Sequence, residues 1–100
     1  MGWAKEKQMI HFLVHGTDDN VAVAVVDISR GDTGRVMNME TQKEFEISAL
    51  SDIPLGHKVA LSDFKVDDTI IKYDHDIGRV VTPIKKGEHV HVHNVKTKRW

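Results

Sequence analysis

The chain has 100 residues and a mass of 11.3 kDa, the size of one domain. Its formal net charge of −1 argues against a general nucleic-acid-binding protein, and the absence of Cys excludes a disulfide framework, a thiolate metal site and a thiol nucleophile. The longest apolar run, Val21–Val26, is far shorter than the ~20 residues that cross a bilayer. The first residues contain no continuous hydrophobic stretch, so we expect a cytoplasmic protein without membrane contact.

Short strands are the elements that the apolar pattern predicts along the chain. The segments are rich in β-branched residues, and turn-forming residues separate them roughly every 8–12 positions, a spacing typical of a small barrel or sandwich. In Asn20–Asp27 small Ala residues alternate with Val, which predicts a strand that is covered on both faces. The predicted strands are Met9–Val14, Asn20–Asp27, Gly34–Met39, Glu44–Ile47, His57–Leu61, Thr69–Tyr73, Arg79–Thr82 and His89–Val95.

Helical periodicity is nearly absent, so the predicted fold is mainly β with at most one or two short helical turns. Ser48–Asp52 and Leu61–Phe64 could each form one turn, but no window sustains apolar positions at helical spacing. Residues 1–8 are polar and are predicted to be a flexible segment that precedes a domain of residues 9–100. A weak echo of basic residue, turn and acidic residue recurs near Gly31, Asp67 and Gly87, and turn chemistry alone explains it.

Histidine and positive charge are concentrated near the carboxyl terminus. Of the seven His, three lie in His89-Val90-His91-Val92-His93. On a strand, alternate residues share a face about 6.6 Å apart, close enough for two imidazoles to converge on one metal ion with bonds of ~2.0–2.1 Å. This predicts His89 and His91 as metal ligands, with His93 aimed elsewhere and with Val90 and Val92 facing the core. The alternative is an exposed or interface row of His that binds no metal.

Two other segments suggest anion contacts. Gly56 is followed by His57 and Lys58 at the start of a predicted strand, and Lys72 lies at the end of another. A turn that presents imidazole and ammonium groups suits a carboxylate or a sulfonate. Taken by themselves, these residues favour a solvated surface. Arg79 and the segment 98–100 would suit a protein interface, where Arg and Trp often anchor binding.

Five motifs in this order make residues 9–100 similar to a known family. Together they resemble the amino-terminal SAF-type domain of the altronate and galactarate dehydratase family, which implies a compact β-clip fold. The start and end of the domain resemble more closely the free-standing small subunits of the family's carbon–sulfur lyases, which eliminate sulfite. The motifs are Asp19–Ala24, Ile53–Leu61, Ile70–Tyr73, Ile77–Gly78 and Lys86–Asn94.

The resemblance implies that the chain completes an active site on a larger catalytic subunit, which would supply the general base. It implies a divalent metal, usually iron(II), and a small anionic substrate. The expected roles are substrate contacts by His57, Lys58, Lys72 and Asn94 and metal ligation by His89 and His91, with His15 and His93 as further candidates. Asp74, where the family commonly has Gly, and an extra residue after His15 are the two departures from the family pattern.

Two other functions are compatible with the same residues. One is the small subunit of a sugar-acid dehydratase, which would remove water instead of sulfite. The other is a stand-alone domain that binds a sugar acid or another anion without a partner. The isolated chain could also form a homo-oligomer.

Overall fold

The structure of the protein is a computed structural model that describes residues 9–97. The predicted segment 1–8 and the candidate interface residues 98–100 lie outside the described residues. Residues 9–97 form nine short strands and contain no helix, so they contain none that could span a membrane. The strands are β1 (Phe12–Val14), β2 (Val21–Ala24), β3 (Thr33–Asn38), β4 (Glu44–Ser48), β5 (Lys58–Ala60), β6 (Thr69–Lys72), β7 (His75–Val80), β8 (His89–Val90) and β9 (Val95–Lys96).

The strands form two sheets, which confirms the predicted mainly β class. The larger sheet has the order β4-β3-β1-β2-β5-β8, and the smaller has the order β6-β7-β9. Neighbouring strands are antiparallel except β1 and β3, which run parallel with Phe12 opposite Val36. Both side chains are fully buried in the core of the larger sheet.

Strand β2 joins the two cores of the domain, as its predicted burial on both faces requires. Ala22 and Ala24 belong to the cluster that surrounds Phe12, whereas Val21 belongs to a second cluster with Ile70 and others. All of these side chains are at most 1 % exposed. The small Ala side chains let the layer around Phe12 approach the β2 backbone closely, and burial of each large apolar side chain stabilises the domain by about 1.5–3 kcal/mol.

The structure corrects two sequence-based predictions and shows that the possible helical turns do not form. Residues 48–52 and 61–64 contain bends and an isolated bridge instead of helical turns. Strand β7 begins at His75, because the Lys72–His75 pair closes a tight hairpin where the sequence predicts a longer loop. The predicted strand 89–95 is interrupted by a turn at residues 91–94, and Val92 is 77 % exposed instead of facing the core. Val90 is buried, as predicted.

One loop geometry occurs four times. Three of the four loops coincide with the recurring sequence pattern of a basic residue, a turn and an acidic residue. Ile28 and Ile53 exchange two backbone hydrogen bonds of 2.8–2.9 Å, and Phe64 and Ile84 form an equivalent bridge of 2.7–2.9 Å. Each of these residues begins a turn in which the third following residue has a positive φ. Those four residues are Gly31, Gly56, Asp67 and Gly87.

Candidate metal centre and its cationic surroundings

Three imidazoles converge at the edge of the larger sheet. His57 directly precedes β5, His89 begins β8, and the two strands pair with Val59 opposite His89. His57 Nδ1 lies 2.8 Å from His89 Nε2, and ligand nitrogens of His57, His89 and His91 all lie within 4.8 Å of one another. The strand pairing therefore brings a residue from the middle of the chain to the carboxy-terminal His segment.

The rings of this group are also packed against one another. The centroids of His57 and His91 are 4.5 Å apart, and those of His89 and His91 are 5.2 Å apart. The ring centroid of His93 lies 5.5 Å from that of His89, but His93 is not among the three imidazoles whose ligand atoms converge. Whether His93 aims elsewhere or is a further metal ligand stays a prediction. His57, predicted as a substrate contact, is placed with His89 and His91.

The electrostatic surroundings favour neutral imidazoles. The pKa of His89 is lowered first by burial and then by the positive charge of His57, His91, His93 and Lys58. The pKa of His91 is lowered by desolvation and then by the charges of His57, Lys58 and His93. Metal ligation needs the unprotonated ring. The lowered pKa values of His89 and His91 therefore favour the form of the ring that metal ligation needs.

The geometry of the three rings fits a divalent transition metal. Two nitrogens bound to one ion at ~2.1 Å lie at most about 4.2 Å apart. The three ligand nitrogens lie within 4.8 Å of one another, so only a small inward rotation of the side chains would bring them to this distance. Neutral imidazole is a ligand for zinc, copper, iron and nickel, so the donor set by itself does not select one of them.

Asn94 shapes the turn that carries His91. Its side chain is buried, its Nδ2 donates to His89 O at 2.8 Å, and its Oδ1 accepts from His91 N at 2.9 Å. These two bonds interrupt the predicted strand and draw the His91 ring back toward His89. Asn94 thus positions two imidazoles, while the direct substrate contact expected from the sequence stays a prediction.

We expect Asn94→Ala to lower metal affinity about 10–100-fold, the usual effect of removing a group that orients a ligand. The substitution leaves the His91 N–H and the His89 carbonyl without their side-chain partner and frees the turn. Competition with a chromogenic chelator measures the affinity. Asn94→Asp keeps the acceptor and loses the donor, so it should give an intermediate value. Unchanged affinity in a folded Asn94→Ala protein would contradict this role.

A cavity of about 270 Å³ lies beside the imidazoles. Lys58 and His91 supply its polar walls, and its other walls are mainly apolar, formed by Ile70, Ile77, Val90, Val92, Val95 and Thr97. The pKa of Lys58 is lowered by burial and then by the charge of Lys72. Neither of the ion pairs found among residues 9–97 involves these two lysines. The positive charge of Lys72 therefore acts on Lys58 at the wall of this cavity, an environment that favours a bound anion.

Asn20 links the strand that carries Lys72 to the sheet that carries Lys58. Its side chain donates to Thr69 O at 2.9 Å and accepts from Ile71 N at 2.8 Å, so it ties β6 to the start of β2. Strand β2 in turn pairs with β5, with Val23 opposite Lys58. This polar junction links the strands that carry the two lysines, one in each sheet, and their predicted substrate contacts stay predictions.

Two other candidates have different surroundings. The His15 ring stacks on Tyr73 with centroids 4.3 Å apart, and His15 is not among the three imidazoles that converge. Its Nδ1 is buried without a hydrogen-bond partner. Arg79 forms an exposed ion pair with Asp67 at 2.8 Å. Its role at an interface stays a prediction.

Residues 10–98 match the family described as altronate/galactarate dehydratase SAF domain. The (2R)-sulfolactate sulfo-lyase subunit alpha of Chromohalobacter salexigens is 53 % identical over 94 residues, which are 91 % of this chain and 98 % of that protein. The subunit of the same name from Paracoccus pantotrophus is 56 % identical over 57 residues, 57 % of this chain and 85 % of its own length. The altronate dehydratase of Bacillus subtilis is 38 % identical over 89 residues, 89 % of this chain but 17 % of that enzyme.

Proposed function

The chain belongs to the altronate/galactarate dehydratase SAF domain family, and we propose that it is the small subunit of a (2R)-sulfolactate sulfo-lyase. One observation carries this proposal. The chain is 53 % identical to a sulfo-lyase alpha subunit, and the match covers 98 % of that subunit. The dehydratase relative is less similar, and the chain corresponds to only 17 % of it. The higher identity, over nearly the whole of a sulfo-lyase alpha subunit, therefore favours the sulfo-lyase over the dehydratase.

In this proposal, His57, His89 and His91 hold a divalent metal, which we propose to be iron(II). When bound, the ion would supply Lewis acidity toward the carboxylate and hydroxyl oxygens of the substrate. Support comes from the convergence of three ligand nitrogens within 4.8 Å and from the lowered pKa of His89 and His91. Metal analysis of the purified assembled enzyme tests the identity of the ion.

The cationic residues of the chain would bind and orient the substrate. Sulfolactate carries a carboxylate and a sulfonate, and the interacting charges of Lys58 and Lys72 can neutralise part of this double negative charge. During elimination the C2–H bond breaks, its electrons form the C2–C3 double bond, and the C3–S bond breaks with its electrons leaving on sulfite. The enol that remains becomes pyruvate. Groups that hold the sulfonate therefore also stabilise the departing anion.

We propose that the base that removes the C2 proton belongs to the larger subunit. The three convergent imidazoles are assigned to the metal, and the lysines are assigned to the substrate anions. Co-expression with the larger subunit, followed by measurement of pyruvate and sulfite, tests the function directly. Equal amounts of both products are expected from the assembled enzyme, and none from the small subunit alone. Turnover by the isolated small subunit with iron would contradict the two-subunit proposal.

We expect Lys58→Met in the assembled enzyme to raise KM for sulfolactate about 10–100-fold, the effect of losing one hydrogen bond to a charged group. Methionine retains most of the apolar stem that lines the cavity but removes the ammonium charge. The matched control is Lys65→Met, because Lys65 is an exposed lysine outside this cavity. If both variants leave KM unchanged, Lys58 does not contact the substrate.

A sugar-acid dehydratase subunit is the second candidate, favoured by the 38 % identity to altronate dehydratase. An aldonate substrate would then give a 2-keto-3-deoxy acid and water, without sulfite. The third candidate, a stand-alone anion-binding domain, requires that the purified single chain bind a sugar acid without metal or partner. Parallel assays with sulfolactate and altronate, together with a binding measurement on the single chain, separate the three.

A further inference from the structure

The turn between β6 and β7 has an unusual residue composition for its backbone shape. Only Tyr73 and Asp74 connect the two strands, and their φ angles are 54° and 60°. Positive φ at both central residues is the pattern of a type I′ hairpin turn, which favours Asn-Gly. A bulky aromatic residue is disfavoured there, because its Cβ crowds the backbone. The rest of the structure must therefore hold Tyr73 in this conformation.

Asp19 provides that restraint. Its carboxylate accepts hydrogen bonds from the backbone N–H groups of Tyr73 at 2.9 Å, Asp74 at 2.8 Å and Gly16 at 3.1 Å. Burial by itself would raise the pKa of Asp19, but these bonds and one from His15 lower it. The carboxylate thus stays ionised while it clamps the hairpin turn to the loop that precedes β2.

The hydrogen bonds of Asp19 hold the Tyr73 side chain beside Lys72, on the face of the domain that we call the cationic face. Tyr73 is 53 % exposed, its ring stacks on His15 with a centroid distance of 4.3 Å, and Lys72 Nζ lies 4.7 Å from the ring centroid. The stack and the cation fix the plane of the ring without burying it. A Tyr with a purely structural role would be expected to bury its ring or to give way to Asn or Gly in this turn.

Lys72 connects this aromatic residue to the anion-binding region. It follows Ile70 by two positions on β6, and Ile70 lines the cavity together with Lys58 and His91. The phenol of Tyr73 is a neutral hydrogen-bond donor, and such a donor complements two ammonium groups when the ligand carries several oxyanion atoms. The combination suits a small dianion better than a neutral sugar.

We propose that Tyr73 contacts the substrate and helps to determine specificity, by donating a hydrogen bond from its phenol to an oxyanion atom of the ligand held near Lys72 and Lys58. Asp19 is the positioning residue that keeps Tyr73 in the left-handed turn. The identity of the anion as sulfolactate rests on the proposed function, whereas the contact itself requires only an acidic ligand at this face.

Tyr73 is the only tyrosine in the chain, which makes a site-specific probe possible. The small subunit is prepared with ring-¹³C tyrosine, assembled with the unlabelled larger subunit and titrated with 3-sulfopropionate, an unreactive dianion, and separately with altronate. A saturable shift of the Tyr73 ring signal by either ligand is expected. If neither ligand shifts the signal, the inference is wrong.

Kinetics of the assembled enzyme provide the second readout. Tyr73→Phe keeps the stacked ring and removes only the hydroxyl, so we expect KM to rise about tenfold with kcat within a factor of about two. Asp19→Asn should raise KM similarly without loss of metal. The matched control, Asp18→Asn, changes the neighbouring exposed carboxylate and should leave KM unchanged. Unchanged KM in Tyr73→Phe would overturn the proposal.

The two readouts separate this inference from the proposed function. If sulfite is formed but the Tyr73 signal does not shift, the result supports the sulfo-lyase function and contradicts the role of Tyr73. If sulfite is not formed but altronate shifts the signal, the result contradicts the sulfo-lyase function and supports the role of Tyr73.

Discussion

Replacing His89 with alanine is expected to remove bound metal and to lower kcat/KM at least about 1,000-fold, a loss of about 4 kcal/mol of transition-state stabilisation. His89 lies at the centre of the imidazole group, in contact with the rings of His57, His91 and His93. Its loss leaves two of the three convergent nitrogens. Metal content per assembled enzyme and the rate of sulfite release measure the two effects.

The matched control is His93→Ala, which removes an imidazole from the turn that follows β8 but not one of the three convergent ligands. This variant should keep its metal and most of its activity. Circular dichroism and the oligomeric state establish that both variants fold and assemble. Full metal content and full activity in His89→Ala would contradict the metal centre. Equal metal loss in both variants would mean that the ligand set is different from the one proposed.

Gly87→Ala is expected to reduce the free energy of unfolding by about 3 kcal/mol or more, a large part of the 5–15 kcal/mol typical of a domain. Gly87 has a φ of +92°, and a Cβ there would collide with the backbone carbonyl oxygen of Ser48. Backbone atoms cannot move aside as the end of a side chain can. The Leu50 N–H also donates to Gly87 O, so displacement of this turn would disturb that contact as well. Chemical denaturation measures the change.

Gly31→Ala is the matched control, because Gly31 occupies the corresponding place in another copy of the same loop. Its φ is +93°, but within residues 9–97 no atom beyond its two chain neighbours lies within 4 Å of the position of an added Cβ. Only the left-handed backbone penalty applies, so we expect a loss of about 1–2 kcal/mol. The difference between the two variants isolates the steric conflict with Ser48. Equal losses in both would show that the collision is relieved by a backbone shift.

The local sequence pattern was enough to predict the class of the fold and most of its strands. Alternating β-branched residues and regular turn signals predicted strands in the right places, including the doubly covered β2. Local patterns work for these features because a strand with a buried face requires a periodicity of two wherever it lies. They failed at residues 91–94, where the turn depends on the side chain of Asn94, which bonds to backbone groups three and five residues earlier.

The sequence alone determined that any metal must be held by His or oxygen ligands, since there is no Cys, and that the segment 89–93 is the best source of ligands. It could not determine that His57 is the third member of the group, because residues 57 and 89 meet only through the pairing of β5 with β8. The sequence could not show the hydrogen bonds of Asp19 to the Tyr73 turn for the same reason. Tyr73 and Asp74 lie 54 and 55 residues after Asp19 in the chain. Periodicity reports which way a side chain faces, but only the strand order decides which faces meet. In this protein, the sequence determined the chemistry of the side chains, and the tertiary structure decided which of them form one site.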